Sequence, residues 1–421
     1  MADSFVKATV ITIGDELMVG QVIDTNSAWI AEALNTLGIW LHRRVAIGDN
    51  RNEILKTLKE EAENTDVIII TGGLGPTADD ITKPVLNEYF GGSMVLNQEV
   101  LDHLRKLFEM VLKRPFTERN AQQAMIPERC TVLMNHYGTA PGMQFERDNC
   151  IYFSLPGVPY EMQGLMRDYV LPLLKKRFPA YTILHRTLVT AGIGESYLAD
   201  HIQEFEAGLD PSCSIAYLPG NGVLRLRLTA KGKDAVALTS RLDNDFARLT
   251  SLVKEWLISD EDLSLPQLLL RMLRHSGKTF GTVESCTGGY LAHQITTEAG
   301  SSAVFMGSVI SYSNEIKINA LGVKPETLEQ AGAVSEETVL EMAAGGLKSL
   351  KCDYIIATSG IMGPDGGTGT KPVGTVWIAT GNREKLRAKR FHFRYNRMQN
   401  IRLASNTAFN ELRKFILEEE S

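Results

Sequence analysis

Three stretches in the last third of this 421-residue chain place hydroxyls, glycines, two lysines and one tyrosine at or near the ends of apolar runs. The first is Val283-Glu284-Ser285-Cys286-Thr287-Gly288-Gly289. The second is Gly300-Ser301-Ser302, followed after an apolar run by Ser311-Tyr312-Ser313-Asn314-Glu315-Ile316-Lys317. The third runs from Thr358-Ser359-Gly360 through Gly363-Pro364-Asp365-Gly366-Gly367 to Lys371. These residue types suit a serine nucleophile with a lysine or tyrosine base. Such a site needs neither metal nor histidine, only a lysine whose pKa is lowered by burial or neighbours. Around Ser285 a short β-branched strand is followed by a polar turn and an amphipathic helix from Tyr290. Backbone N–H groups at such a helix start favour an anion, and Gly288 and Gly289 let a ligand approach closely. The plainer alternative is that Ser285 or Thr287 only caps the helix.

A second constellation lies near the N-terminus. Gly14-Asp15-Glu16-Leu17 follows the apolar run 8–13, and Asp24-Thr25-Asn26 comes shortly after. Thr71-Gly72-Gly73-Leu74-Gly75-Pro76-Thr77-Ala78-Asp79-Asp80 follows the strongest apolar run of this half. Gly72, Gly73 and Gly75 would offer backbone N–H donors to a phosphate. Asp79 and Asp80, with Asp15 and Glu16, suit a hard divalent cation bridging phosphate oxygens. The alternative is that Asp79 or Asp80 caps the helix containing Ile81.

The elements that would hold these residues alternate. Strand 8–13, helix 28–37, strand 40–45, helix 51–64 and strand 66–70 predict a parallel sheet covered on both faces. Ligands bind such sheets beyond the carboxyl ends of the strands, so Gly14 and the Thr71–Asp80 stretch are expected to share a pocket. From His185 to about Ile258 the pattern becomes α+β, with a hairpin around Pro219-Gly220-Asn221-Gly222 and a last helix from Ala235 to about Ile258. Ser259–Ser264 reads as an acidic linker. Beyond it, helix 265–277, strand 278–283, helix 287–298, strand 304–311, helices 314–321 and 335–349, strands 353–359, 374–380 and 388–394, and a helix from Arg397 form a last domain. The strand order cannot be read from this pattern. The domains are drawn at 1–170, 171–258 and 259–421.

Composition narrows the class. The chain is 44% hydrophobic and 22% charged, with net charge −6, which argues against a broad nucleic-acid footprint. Five dispersed cysteines without a CxxC disfavour a disulfide framework or zinc ribbon. The N-terminus carries no long apolar run, and no stretch has the roughly 18 apolar residues of a membrane helix. The expectation is a soluble, cytoplasmic protein.

The last 160 or so residues, through Glu284–Gly289, Gly300–Ser302, Tyr312–Lys317, Gly332-Ala333-Val334-Ser335 and Ser359–Gly367, resemble the C-terminal domain of the CinA family. That domain is similar to the nicotinamide mononucleotide (NMN) deamidases. The resemblance implies hydrolysis of NMN to nicotinate mononucleotide and ammonia, without a cofactor. Ser302 and Ser285 compete for the role of nucleophile; the resemblance favours Ser302, with Lys317 as base and Tyr312 as a relay or hydrogen-bond partner. Ser285, Thr287, Gly288 and Gly289 then belong to the phosphate end or the oxyanion donors. Gly363, Asp365 and Gly366 would face the ligand, with Asp365 orienting the ribose. Arg397 or Arg402 would hold the phosphate. Cys286, with no histidine near it, reads as a bystander.

Residues 5–170, through Gly14–Leu17, Asp24–Asn26, Thr71–Asp80, Arg119–Gln122, Asn135–Gly142 and Leu155–Met162, resemble the MoaB/MogA-like molybdopterin-binding fold as CinA proteins carry it. This implies an ADP-ribose pyrophosphatase using Mg, Mn or Co, with the substrate bound by Gly14, Gly72, Gly73, Gly75 and Thr77. The middle region resembles the family's KH-like domain. Its Gly192-Ile193-Gly194 is only loosely a nucleic-acid loop, and a spacer or dimerisation role is the better reading. The family also implies a homodimer. Two alternatives stay open: a nucleotide-binding regulatory or scaffold protein linked to competence or DNA damage, and a pterin-binding enzyme.

Overall fold

The computed structural model describes residues 5–77, 79–178 and 181–420. Ala78 of the Thr71–Asp80 stretch and Pro179 of the expected boundary lie outside them, as do residues 1–4. The chain forms two compact units, Met1–Leu184 with Ala230–Thr239, and His185–Thr229 with Ser240–Ser421.

In the first unit the strands are β1 (Lys7–Ile13), β2 (Trp40–Ile47), β3 (Val67–Thr71), β4 (Met94–Leu96), β5 (Met125–Pro127), β6 (Thr131–Leu133), β7 (Gly142–Arg147) and β8 (Cys150–Leu155). Six of them build one sheet in the order β2-β1-β3-β8-β7-β6. The first four are parallel, and β7 and β6 add antiparallel edges. The Val-Ile-Ile-Ile-Thr run of β3 is buried at every position, as a central strand covered on both faces requires. Ile30 and Leu34 of helix Asn26–Asn35 join Met162 and Leu165 of helix Pro159–Leu165 on one face. Helices Arg51–Ala62 and Thr82–Phe90 supply Ile54, Leu58, Val85 and Leu86 to the other.

The second unit contains most of the middle domain. There β9 (Thr182–Ala191), β10 (Cys213–Gly220), β11 (Val223–Gly232) and β12 (Leu257–Ser259) pair in the order β10-β11-β9-β12. The helix expected to reach Ile258 ends at Leu252, and Ile258 sits in β12, antiparallel to β9. Beyond it, β13 (Phe280–Glu284), β14 (Phe305–Ile310), β15 (Tyr354–Gly360), β16 (Thr375–Gly381) and β17 (Leu386–His392) form a five-stranded sheet, order β14-β13-β15-β16-β17. The first three strands are parallel and the last two antiparallel. Helices Leu265–Ser276, Tyr290–Thr296 and Arg397–Glu419 cover one face. Helices Asn314–Leu321 and Glu336–Leu350 cover the other. A short helix Pro325–Gln330, not expected from the sequence, starts on its proline, where the missing N–H is not needed. Both units are therefore three-layer α/β, with an additional α+β region in the middle.

The two α/β sheets share one feature that makes sites. From β13 the chain goes to β14 on one side and then crosses to β15 on the other. From β1 it goes to β2 and then crosses to β3. Each is a topological switch point, where a crevice opens beyond the carboxyl ends of the strands. Among the described residues no helix is long and apolar enough to cross a membrane.

Candidate functional site

The crevice of the second unit is a cavity of about 260 Å³. Ser285 and Cys286 enter it from the end of β13, Tyr312 from the end of β14, and Ser359 and Gly360 from the end of β15. Lys317 comes from helix Asn314–Leu321, which is started by the Ser313 hydroxyl accepting from Ile316 N–H at 3.2 Å. One turn later Lys317 points at the sheet and is only 1% exposed. Its Nζ lies 3.1 Å from Ser285 Oγ, 2.7 Å from the Ser311 carbonyl and 3.2 Å from the Tyr312 carbonyl. Burial pushes the Lys317 ammonium below its ordinary pKa, opposed in part by Cys286.

The structure does not bring Ser302 to Lys317. Ser302 is exposed in the turn Ser301–Ala303, before β14 begins, whereas the lysine lies after β14 ends. The six residues of β14 separate them, roughly 20 Å of strand. The hydroxyl that meets Lys317 is that of Ser285. Tyr312 lines the cavity, but its backbone carbonyl, not its phenol, contacts Lys317.

The expected anion site at Thr287-Gly288-Gly289 is taken by the chain itself. The buried Glu284 carboxylate accepts from the N–H groups of Gly289, Leu291 and Ala292 at 2.9–3.0 Å and from the Thr287 hydroxyl at 2.8 Å. The helix start thus favours an anion, as expected, but the anion is Glu284. Thr287, Gly288 and Gly289 do not line the cavity.

Gly363, Asp365, Gly366 and Arg397 do line it, and Arg402 does not. Arg397 starts the last helix and donates to the Gly363 carbonyl at 2.8 Å and the Tyr312 phenol at 3.3 Å. Cys286 is buried, and its thiol is pushed up to about 12 by desolvation, so it is no thiolate nucleophile. Asn314 and Ser359 line the cavity without having been singled out. Their signal was present, since each stands at an element end inside a hydroxyl-rich stretch.

The crevice of the first unit is larger, about 470 Å³. Gly14, Glu16, Asp24, Asn26, Asp49, the Thr71–Pro76 turn, Asp79, Asp80 and Glu161 line it. The expected phosphate cradle is largely spent. The Gly72 N–H donates to the Leu155 carbonyl at 3.1 Å. The Gly75 N–H donates to Asp80 at 2.7 Å, as do the Thr77 N–H at 2.9 Å and the Thr77 hydroxyl. Thr77 does not line the cleft.

The acids behave similarly. Asp80 closes its own turn, and Asp15 and Asp49 each accept the other's backbone N–H at 3.1 Å. Asp15 does not reach the cleft wall, whereas Asp49, which the sequence reading missed, does. Burial raises the Asp49 pKa, the Asp15 N–H opposes this, and the charges of Asp15, Glu16 and Asp79 push it further up. Among the described residues no three His, Cys, Asp or Glu are arranged to hold a metal ion, so the expected four-acid set is not a cage. Glu16, Asp49 and Asp79 line the cleft without forming such a group, so a Mg²⁺-type cation there would draw most of its ligands from phosphate oxygens and water.

Fold and sites together define a class: a multidomain α/β protein with a buried serine–lysine pair in one crevice and an acid-lined cleft in another. Comparisons with known proteins give its family. The CinA C-terminal domain family matches residues 262–416. The probable molybdopterin binding domain matches 9–176, and the damage-inducible protein CinA KH domain matches 185–257. A "CinA-like protein" of Cytophaga hutchinsonii is 42% identical over 99% of both chains. A "putative competence-damage inducible protein" of Caldicellulosiruptor saccharolyticus is 39% identical over 97% of this chain and 99% of its own. The crystal structure of the competence/damage inducible protein CihA from Agrobacterium tumefaciens is 36% identical, covering 36% of this chain and 93% of its own, with TM-score 0.35. The chain belongs to the CinA family.

Proposed function

We propose that the second unit hydrolyses the carboxamide of NMN, giving nicotinate mononucleotide and ammonia, with Ser285 as nucleophile and Lys317 as base. The observation that carries this is the 3.1 Å approach of Lys317 Nζ to Ser285 Oγ inside a cavity. A neutral amine has two N–H groups and one lone pair. The Ser311 and Tyr312 carbonyls accept the two hydrogens, so the lone pair faces Ser285 Oγ. Lys317 takes the hydroxyl proton as Oγ bonds to the carboxamide carbon. The C–N bond then breaks, Lys317 returns the proton to the leaving nitrogen, and ammonia departs. Water, activated by the same amine, hydrolyses the Ser285 ester. Arg397 is the cation in the cavity wall suited to the substrate phosphate.

The test is ammonia release from NMN by the full chain in excess EDTA, with Ser285→Ala and Ser302→Ala alongside. Release by the wild type and Ser302→Ala, and none by Ser285→Ala, is expected. Loss only in Ser302→Ala would move the nucleophile. No release by the wild type would remove the deamidase reading and leave nucleotide binding without turnover, the regulatory alternative.

For the first unit the reading is a metal-dependent ADP-ribose pyrophosphatase, supported by the acid-lined cleft at a switch point. A bound divalent cation would neutralise the pyrophosphate charge there. Carboxylates of the cleft wall, Glu16, Asp49 or Asp79, would contribute to its coordination beside phosphate oxygens and water, and the Thr71–Pro76 turn would wall the phosphates.

A further inference from the structure

Asn400 stands on the last helix just beyond Arg397, wholly buried, and does not line the cavity. A buried amide is costly unless its donors and acceptor are all used. Here they are. Oδ1 accepts the Tyr395 N–H at 3.1 Å. One Nδ2 hydrogen goes to the Tyr395 carbonyl at 2.9 Å and the other to the Met362 carbonyl at 3.1 Å. The two bonds to Tyr395 fix the turn that enters the helix. The bond to Met362 ties that turn to the loop leaving β15. The same helix buries Ala404, Ala408 and Leu412 in the core, so core packing alone gives no reason for an amide at this position.

Both tied segments carry the wall of the cavity, since Met362, Gly363 and Arg397 all line it. Arg397 is exposed, and a long exposed side chain has rotamer freedom to lose when it grips a ligand. Two bonds restrain it beforehand: to the Gly363 carbonyl at 2.8 Å and to the Tyr312 phenol at 3.3 Å. Among the described residues each Nη gives one hydrogen to the protein, which leaves one on each for a phosphate. Gly363 directly follows Met362, so the anchor of Arg397 sits where Asn400 holds the preceding carbonyl. Two successive carbonyls of one loop are grasped by two side chains from one turn of helix. The guanidinium is thereby set in place relative to Ser285 before a ligand arrives, which lowers the cost of binding.

We propose that Asn400 is a positioning residue for the deamidase site: by joining the Tyr395 turn to the Met362 loop it presets Arg397 for the phosphate of a mononucleotide. This rests on the NMN reading of the cavity, though not on its turnover. Asn400→Leu removes all of its side-chain bonds at similar volume, and Asn400→Ser is the smaller, polar second variant. Each is made in the full chain, alone and together with Arg397→Ala. Ammonia release gives KM and kcat. Calorimetry with NMN, on the same chains carrying Ser285→Ala, gives affinity without turnover. Each Asn400 variant should raise KM about tenfold and weaken NMN binding by a similar factor, with kcat within about threefold. In the Arg397→Ala chain the same substitutions should cost less than about twofold, because the group they position is gone. Losses from Asn400 and Arg397 that simply multiply would overturn the proposal. So would a fall in kcat at unchanged KM, or a lowered Tm with unchanged affinity, which would leave Asn400 a structural residue only. No binding of NMN by any of the chains would overturn it together with the deamidase reading. Binding that shows the Asn400–Arg397 dependence without ammonia release by the wild type would uphold the positioning role and remove only the deamidase.

Discussion

The two crevices lie at equivalent points of two similar sheets and differ in what the chain has already committed. In the second unit the reacting groups are assembled against each other: Ser285, Lys317 and two carbonyls lie within 3.2 Å. In the first, most of the groups that looked reactive are bonded to the chain. Asp80 closes the Gly75–Thr77 turn, and Asp15 pairs with the backbone of Asp49. The first cleft is almost twice as large, at about 470 against 260 Å³. A buried amine and hydroxyl can be preorganised without a ligand because neither needs to carry charge. Several free carboxylates cannot be packed together without a cation to offset their repulsion. The second crevice thus holds its polar groups already paired with one another, whereas the first keeps acids on its wall that only a cation could bring together.

The most damaging test of this contrast is removal of the nucleophile. Ser285→Ala should lower ammonia release from NMN by about 10³-fold or more, while Ser302→Ala stays within about twofold. Comparable losses in both would mean that the second crevice is incomplete as described. Next comes chelation. EDTA should leave ammonia release unchanged and reduce ADP-ribose cleavage by roughly 10²-fold or more; equal sensitivity would erase the distinction between the two sites.

The pH profile sharpens the assignment of Lys317. Because burial lowers its pKa, kcat/KM should climb up to about tenfold per pH unit and level off below the ordinary lysine value of 10.5. A plateau reached only above that value would remove Lys317 as base. Stability carries the same sign. Between the depressed folded value and 10.5 the unfolded chain binds the extra proton, so stability rises with pH there. Lys317→Met should flatten that slope in denaturant titrations.

Smaller effects separate the arginines and the helix start. Arg397→Ala should raise KM for NMN about tenfold with less change in kcat, and Arg402→Ala should do neither. Glu284→Gln, which weakens charge-assisted bonds to three N–H groups, should cost about 2 kcal/mol of stability, read as an earlier denaturant midpoint. An unchanged midpoint would show that the carboxylate is not what holds that turn.

Much of this architecture was visible in the residues. The Val-Ile-Ile-Ile-Thr run of β3 and the strand–turn–helix at Ser285 have patterns that survive any packing, because local sterics and hydrophobic period enforce them. The resemblance to CinA proteins also rested on local motifs, and whole-chain relatives carry the same family name. Lys317, Arg397, Gly363 and Asp365 were recognised as site residues and do meet in one cavity. The choice between Ser285 and Ser302 was not legible, because both follow the same small, polar, glycine-containing pattern. What separates them is the parallel pairing of β13 and β14, which puts one serine at the carboxyl end of the sheet and the other at the amino end. Nor could the sequence show that the free N–H groups before Tyr290 are satisfied by Glu284, five residues before Gly289.

The sequence by itself determined most of the alternating strands and helices around the two sites, which family the chain resembles and which residue types are available for chemistry. Those properties depend on neighbours within a few positions. Only the tertiary structure decided which serine meets the lysine and which carboxylates are already spent. Those outcomes depend on strand order and on hydrogen bonds closed between residues more than 30 positions apart, 32 for Ser285 and Lys317 and 34 for Asp15 and Asp49.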